Sequence, residues 1–232
     1  MTRNILLALK EKSRSNGVAF QSADEIDLDY PSLLNNINGF IQSLKKLGIR
    51  RDDPVAFIAD NNPGTSIIAL SLMSHAIAIP INPDFKQTEL EHLFSNIPVK
   101  AILVPSLLRQ SFGAMWEPRQ TAIIEYKINN WNIEVDADVN LQGLNKVDSS
   151  NIIPDDTALI LQTSGSTAAP KFVPLSHKNI LSAVGNVIRS LSLSKDDKCL
   201  HMLPMFHVGG LVDVLLAPLL AGGSVVFNKG FD

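Results

Sequence analysis

Short apolar runs of strand length alternate with helix-length segments over residues 33–104, and few folds accommodate that rhythm. Leu33, Leu34, Ile37, Phe40, Ile41, Leu44 and Leu47 recur at helical spacing and Gly48 follows as a stop, which predicts an amphipathic helix over 32–47. Residues 55–58 form a short apolar run that reads as a buried strand. Asn62-Pro63 then supplies a cap and a first-turn proline for a helix over 63–75. Residues 77–81 read as the next strand, ended by Asn82-Pro83, and Thr88-Glu89-Leu90-Glu91 fits a capping box that opens another helix. A further apolar run covers 99–104. Strand, helix, strand, helix, strand at such short intervals implies an α/β fold: parallel β-sheets flanked by helices.

Residues 111–150 differ, with two tryptophans, many Asn and Asp residues and weak periodicity; 121–126 is the only strand read there. The polar stretch 136–156 reads as a connection, which divides the chain into a first α/β unit, 1–150, and the start of a second, 151–232. In the second unit 157–161 is a strand by composition, a polar loop follows, and 172–175 is a short strand. Ser176 caps a helix to 191, 200–203 is extended, 210–220 helical and 224–227 a strand. The chain ends five residues later. That leaves two readings, a truncated second unit or an edge strand, which the sequence alone weighs about equally.

A chain of 232 residues buries roughly 70% of its unfolded surface, enough for a sizeable core. With 20 basic and 23 acidic residues it has a net charge of −3 and no basic block, so a nucleic-acid partner is not expected. The single cysteine, Cys199, excludes an internal disulfide and fits a reducing cytosol, so a cytoplasmic protein is expected. Ile5, Leu6, Leu7 and Leu9 precede Lys10, Glu11, Lys12 and Arg14, too short an apolar stretch for a signal-peptide core. The apolar region 205–227 is broken by Asp213, Pro218 and glycines, so no membrane span is read.

The chemistry concentrates in Thr163-Ser164-Gly165-Ser166-Thr167-Ala168-Ala169-Pro170-Lys171, where four hydroxyls and a glycine fill five consecutive positions and a lysine closes the loop. Such a loop offers backbone N–H groups, hydroxyl donors and one cation to phosphate oxygens. Gly165 permits close backbone approach and Pro170 stiffens the run into Lys171. By composition alone a solvated Ser/Gly linker is an equal reading; the flanking strands count against it. The loop is neither a Walker A motif nor a G-x-S-x-G nucleophile turn.

Residues 163–171 resemble the phosphate-binding signature of the acyl-adenylate-forming superfamily, T-S-G-S/T-T-G-x-P-K-G, with Ala168 and Phe172 where that pattern has glycines. An L-residue at 168 is restricted wherever the backbone needs φ > 0. Three more segments resemble family motifs in the same order: Leu28-Asp29-Tyr30-Pro31-Ser32-Leu33, Pro80-Ile81-Asn82-Pro83, and Pro204-Met205-Phe206-His207-Val208-Gly209-Gly210-Leu211. The resemblance covers most of the chain. It implies the two α/β subdomains of the N-terminal region of such ligases, truncated before the adenine-binding, ribose-binding and hinge segments; the fragment alone is then expected to be inactive.

The resemblance further implies an ATP-dependent ligase that activates a small carboxylic acid as its acyl-AMP and transfers the acyl group to coenzyme A. Ser164, Gly165, Ser166, Thr167 and Lys171 would hold the ATP phosphates. Thr163 would assist Mg2+, and His207 would stand beside the reacting carboxylate, making Lys171 and His207 the catalytic candidates. Phe206-His207 and Val173-Pro174-Leu175-Ser176-His177 are similar to acyl-CoA synthetases, the latter to short-chain and oxalate-type ligases. The alternatives are an adenylation domain that loads a carrier protein, and a non-catalytic homologue that binds a nucleotide or a partner, for which Ala168 and Phe172 speak. Cys199, His201 and His207 lack the second pair that a closed zinc site needs. His75, His92 and His177 read as surface or helix-face residues, and Lys45, Lys46, Arg50 and Arg51 as a solvated face.

Overall fold

The computed structural model describes residues 4–12, 17–22, 25–115, 121–136, 152–163 and 171–228. In chain order the elements are α1 (Ile5–Lys12), β1 (Val18–Ser22), β2 (Glu25–Asp29), α2 (Tyr30–Lys46), β3 (Pro54–Ile58), α3 (Pro63–His75), β4 (Ile77–Ile81), α4 (Gln87–Asn96), β5 (Ala101–Pro105), a 3-10 turn (Ser106–Leu108) and α5 (Arg109–Met115). Then come β6 (Ala122–Asn129), β7 (Asn132–Asp136), β8 (Thr157–Gln162), β9 (Phe172–Ser176), α6 (His177–Leu191), β10 (Lys198–Leu200), a wide π-type helix (Gly209–Leu216), α7 (Ala217–Ala221) and β11 (Ser224–Phe227).

The helices begin where side chains satisfy their first N–H groups. Asp29 accepts the Ser32 N–H at 2.8 Å, so α2 starts at Tyr30, two residues ahead of the expected start. The Ser32 hydroxyl first, and then this N–H, hold the Asp29 carboxyl below its usual range. Asn62 accepts the Thr65 N–H at 2.8 Å and opens α3. At α4 the box sits two residues earlier than the sequence suggested: the Lys86 N–H donates to Glu89 at 2.8 Å, while Glu91 accepts from the Gln87 amide at 2.9 Å. Ser176 caps α6 as expected, accepting the Asn179 N–H at 3.2 Å.

The fold is α/β with mostly parallel sheets. Seven strands run in the order β7-β6-β5-β3-β4-β8-β9, parallel from β6 to β8, with antiparallel strands at both edges. Four strands form a second sheet, β10-β11-β1-β2, in which β10, β11 and β1 are parallel and β2 antiparallel. The antiparallel pairs were not legible in the sequence. The β6–β7 hairpin turns on Asn130 and Trp131 at φ 46° and 67°, a left-handed pair that ordinarily signals itself by glycine. Trp131 tolerates that backbone because its ring is buried near Phe20, with centroids 6.2 Å apart, and its indole N–H donates to the Ile26 carbonyl at 3.0 Å.

Each sheet draws strands from both sides of residue 150. Strands β8 and β9 extend the sheet built by β3 to β7, and β1 pairs with β11, Phe20 opposite Val225. The connection 137–151 lies outside the described residues. Strand β11 is an inner strand, flanked by β10 and β1, so the edge-strand reading of 224–227 fails. Helix α3, apolar on every face, is buried from Gly64 to His75, as a helix without a polar face must be. Tyr30 closes the seam: its buried hydroxyl lies 2.9 Å from the Leu219 carbonyl and 2.6 Å from that of Gly223 and shares its proton between them. Among the described residues no helix is long and apolar enough to cross a membrane.

Three residues read as surface belong to the interior. His75 bonds the Ile49 carbonyl at 3.0 Å. Arg51, with only 18% of its side chain exposed, meets Asp156 at 3.2 Å. His177, 3% exposed, accepts the Ile5 N–H on Nδ1 at 3.4 Å. Burial lowers the His177 pKa to about 4; Asp156 pulls it back up and Arg51 pushes it further down. The folded protein therefore holds His177 neutral, whereas the unfolded chain takes up a proton near pH 6.5. That contribution to stability is complete above pH 6.5 and is lost as the pH falls to 4, a change of up to about 3 kcal/mol. Buried His201, also shifted down, adds to the loss. Denaturant unfolding between pH 7 and 4 should show a shallower loss in His177→Gln than in the native chain; equal slopes would remove His177 as the cause.

Candidate functional site

Parallel pairing levels the strand ends. Ile58 stands opposite Ile81, and Ala78 opposite Leu159, so the chain leaves β3, β4 and β8 at one carboxyl edge of the seven-stranded sheet. Neighbouring strands lie about 4.8 Å apart, which places the exits of β3 and β8, on either side of β4, about 10 Å from each other. Crevices outside the carboxyl ends of parallel strands are where α/β sheets bind ligands.

From β8 and β9 comes a hairpin whose base is Thr163 and Lys171. The Thr163 N–H donates to the Lys171 carbonyl at 2.8 Å, and the Thr163 hydroxyl meets that carbonyl and the Lys171 N–H, each at 3.3 Å. The structure thus brings the two ends of the predicted phosphate loop together, with the Lys171 side chain exposed. Ser164, Gly165, Ser166 and Thr167, together with Ala168, lie outside the described residues.

Phe172, which replaces a pattern glycine, is accommodated without backbone strain: its φ is not positive. It pairs with Gln162 across the hairpin, and its ring packs half-buried against the core between the sheet and α4. The His92 ring stacks on it, with centroids 5.3 Å apart and an interplanar angle of 23°. Phe172 also walls a cavity of about 40 Å³ with Ile79, Asn82, Phe85 and Glu89. The aromatic ring anchors the return strand of the loop to α4, a contact no glycine can make.

His207 sits on a separate segment, between β10 and the π-type helix. It is exposed, its ring 4.4 Å from that of Phe206, and its N–H donates to the Pro204 carbonyl at 3.1 Å. Two contacts fix the turn beneath it. Gly210 packs so closely on the turn that a Cβ there would stand 2.2 Å from the Pro204 carbonyl oxygen. Met205 is fully buried, with its sulfur 3.3 Å from the Ser66 hydroxyl on α3. His201, ahead of the turn, is buried with its ring stacked on Phe227 of the second sheet, centroids 5.2 Å apart.

Sequence reasoning missed the residue that joins this turn to the carboxyl edge. Asn61, in the loop after β3, donates from Nδ2 to the Leu203 carbonyl at 3.0 Å and accepts the Met205 N–H on Oδ1 at 2.9 Å. The signal available was the run Asp60-Asn61-Asn62 directly after a buried strand, of which only the Asn62 cap was read. Through Asn61 the His207 turn is tied to the loop after β3, at the edge from which the Thr163–Lys171 hairpin also emerges.

The chain matches the AMP-binding enzyme family over residues 9–232. It is similar to the oxalate–CoA ligase of Saccharomyces cerevisiae, 31% identical over 213 residues, which cover 78% of this chain and 38% of that protein. The oxalate–CoA ligase of Arabidopsis thaliana is 34% identical over 189 residues, 77% of this chain and 35% of that protein. The crystal structure of ATP-bound MatB from Rhodopseudomonas palustris shares the fold with a TM-score of 0.80 at 22% identity, covering 100% of this chain and 46% of that one. The chain therefore spans less than half the length of each of these three proteins. Since the match runs through both sheets, the hairpin base and the His207 turn, the chain belongs to the AMP-binding enzyme family.

Proposed function

We propose that this chain is the phosphate-handling portion of an ATP-dependent acid–CoA ligase. The observation that carries the reading is the clasp of Thr163 on Lys171 at the carboxyl edge of the sheet, closing a loop of sequence Ser-Gly-Ser-Thr-Ala-Ala-Pro. Ser164, Gly165, Ser166 and Thr167 offer N–H and hydroxyl donors to the β- and γ-phosphates of ATP, and Lys171 adds a positive charge. The Thr163 hydroxyl, already bonded to the Lys171 backbone, keeps an oxygen lone pair, so it would suit Mg2+ as one ligand beside phosphate oxygens and waters. Bound Mg2+ would neutralise phosphate charge.

A carboxylate oxygen of the acid attacks the α-phosphorus of ATP, the bond to the β-phosphate oxygen breaks, and pyrophosphate leaves. The CoA thiol then displaces AMP from the acyl carbon, giving the thioester. His207 stands by the carboxylate. Catalysis rests on holding these groups in line and neutralising the charge that develops. The similarity to oxalate–CoA ligases makes oxalate the first acid to test, within a panel of small carboxylic acids.

The test is acid-dependent exchange of pyrophosphate into ATP by the full-length protein. Lys171→Ala should slow exchange by at least about tenfold, toward the low end for an electrostatic group because Lys171 is exposed. Unchanged exchange would remove Lys171 from the phosphate site. No exchange with any acid would favour a nucleotide- or partner-binding module. Thioester formation with free CoA separates a CoA ligase from a domain that loads a carrier protein.

A further inference from the structure

We infer that Asn61 is a positioning residue: its carboxamide holds the Leu203–Met205 backbone and thereby sets where His207 stands at the carboxyl edge. The inference deepens the proposed function and rests on it for the role of His207. Both ends of the carboxamide are engaged by backbone groups of one turn, the carbonyl of Leu203 at 3.0 Å and the N–H of Met205 at 2.9 Å. These partners also fix which end is oxygen, since a flipped amide would face a donor with a donor and an acceptor with an acceptor.

The loop that carries Asn61 is itself fixed. Asp60 accepts the Asn61 N–H at 2.9 Å and the Asn62 amide at 3.0 Å, and Asn62 caps α3. Beside the buried Met205–Ser66 contact, Asn61 is therefore the hydrogen-bonding link by which the loop after β3 sets the path of the turn's backbone. His207 lies two residues beyond Met205, and its N–H closes the same turn on Pro204. Gly210 lets the helix behind the turn close on it. A turn held on both sides in this way carries His207 as a fixed group, and freeing one side lets it wander. Small displacements of a positioned group cost large factors in rate.

The experiment compares Asn61→Ala and Asn61→Asp with the native residue in the intact protein. Asn61→Asp keeps an acceptor for the Met205 N–H and loses the donor to Leu203. Amide hydrogen exchange is read at Met205, with Thr163, whose N–H is bonded within the hairpin, as internal reference. Asn61→Ala should speed Met205 exchange at least about tenfold, the loss of roughly one hydrogen bond's worth of protection, and leave Thr163 unchanged. Asn61→Asp should fall between. In the exchange reaction kcat/KM for the acid should fall about tenfold in Asn61→Ala while KM for ATP stays level, and adding His207→Ala should slow the enzyme no further.

Equal exchange at Met205 in native and variant protein would overturn the inference, as would additive losses in the double variant. A native protein without pyrophosphate exchange would sink the ligase reading instead, and the Met205 result would then decide this one.

Discussion

Gly210→Ala should destabilise the protein by about 3 kcal/mol, the upper range for overpacking a closed site, and remove most of whatever activity depends on His207. The reason is geometric. The added methyl would meet the Pro204 carbonyl oxygen at 2.2 Å and its carbon at 2.5 Å, and both belong to the backbone, which cannot swing aside as a side chain can. The turn that carries His207 would have to move away from the helix behind it. The neighbouring residue supplies the control. A methyl on Gly209 meets only the mobile ends of side chains, the Leu203 Cδ1 at 3.1 Å and the Asp213 Oδ2 at 3.5 Å. Gly209→Ala should therefore cost less than about 1 kcal/mol, partly offset by the better helix propensity of alanine. Denaturant midpoints of the two variants check the contrast, and equal midpoints would refute the close-packing account.

Asp156→Ala should cost about 3 kcal/mol, because it strands a charge as well as deleting one. Asp156 accepts Arg51 Nη2 at 3.2 Å and the Ile153 N–H at 2.7 Å, and its carbonyl accepts the His177 N–H at 3.1 Å. The pair is screened from water, with 18% and 14% of the two side chains exposed. Asp52 approaches the same guanidinium at 3.5 Å but is 83% exposed, so it offsets little. Replacing both partners by apolar residues, Arg51→Met with Asp156→Leu, should recover part of the loss, since the stranded charge goes too. A coupling of at least about 1 kcal/mol in the double-mutant cycle is expected. Independent costs would show that the ion pair contributes nothing as a pair.

The middle of the fold was legible because its signals are local. Pro63–His75 and Ile77–Ile81 fall where the sequence placed them, since a cap, a proline and uninterrupted apolar runs act within a few residues. Of the second sheet only β11 was legible, read at 224–227 where it stands. Strands β1, β2 and β10 are short, and β1 and β11 find each other across the whole length of the chain, which no local pattern announces. Arg51 and His177 misled for the same reason: a charged residue in a polar context reads as solvated until the distant Asp156 or Ile5 is placed beside it. At the candidate site the hairpin base at Thr163 and Lys171 was found from composition and motif. Asn61 was not, because its role lies in a bond to a turn 142 residues away.

The pairing of β1 with β11 also orders events during synthesis. Phe20 lies opposite Val225, and its ring packs edge-on against Phe227 with centroids 5.0 Å apart. A ribosome that has delivered residues 18–29 has made a two-stranded ribbon, too small to persist in water. Its parallel neighbour emerges some two hundred residues later, after every strand of the larger sheet. The seven-stranded sheet can therefore form while the chain is still growing, and the amino-terminal strands wait with an apolar face open. Such long-range closure is slow, and until it happens the unpaired strand edge of the ribbon stays exposed.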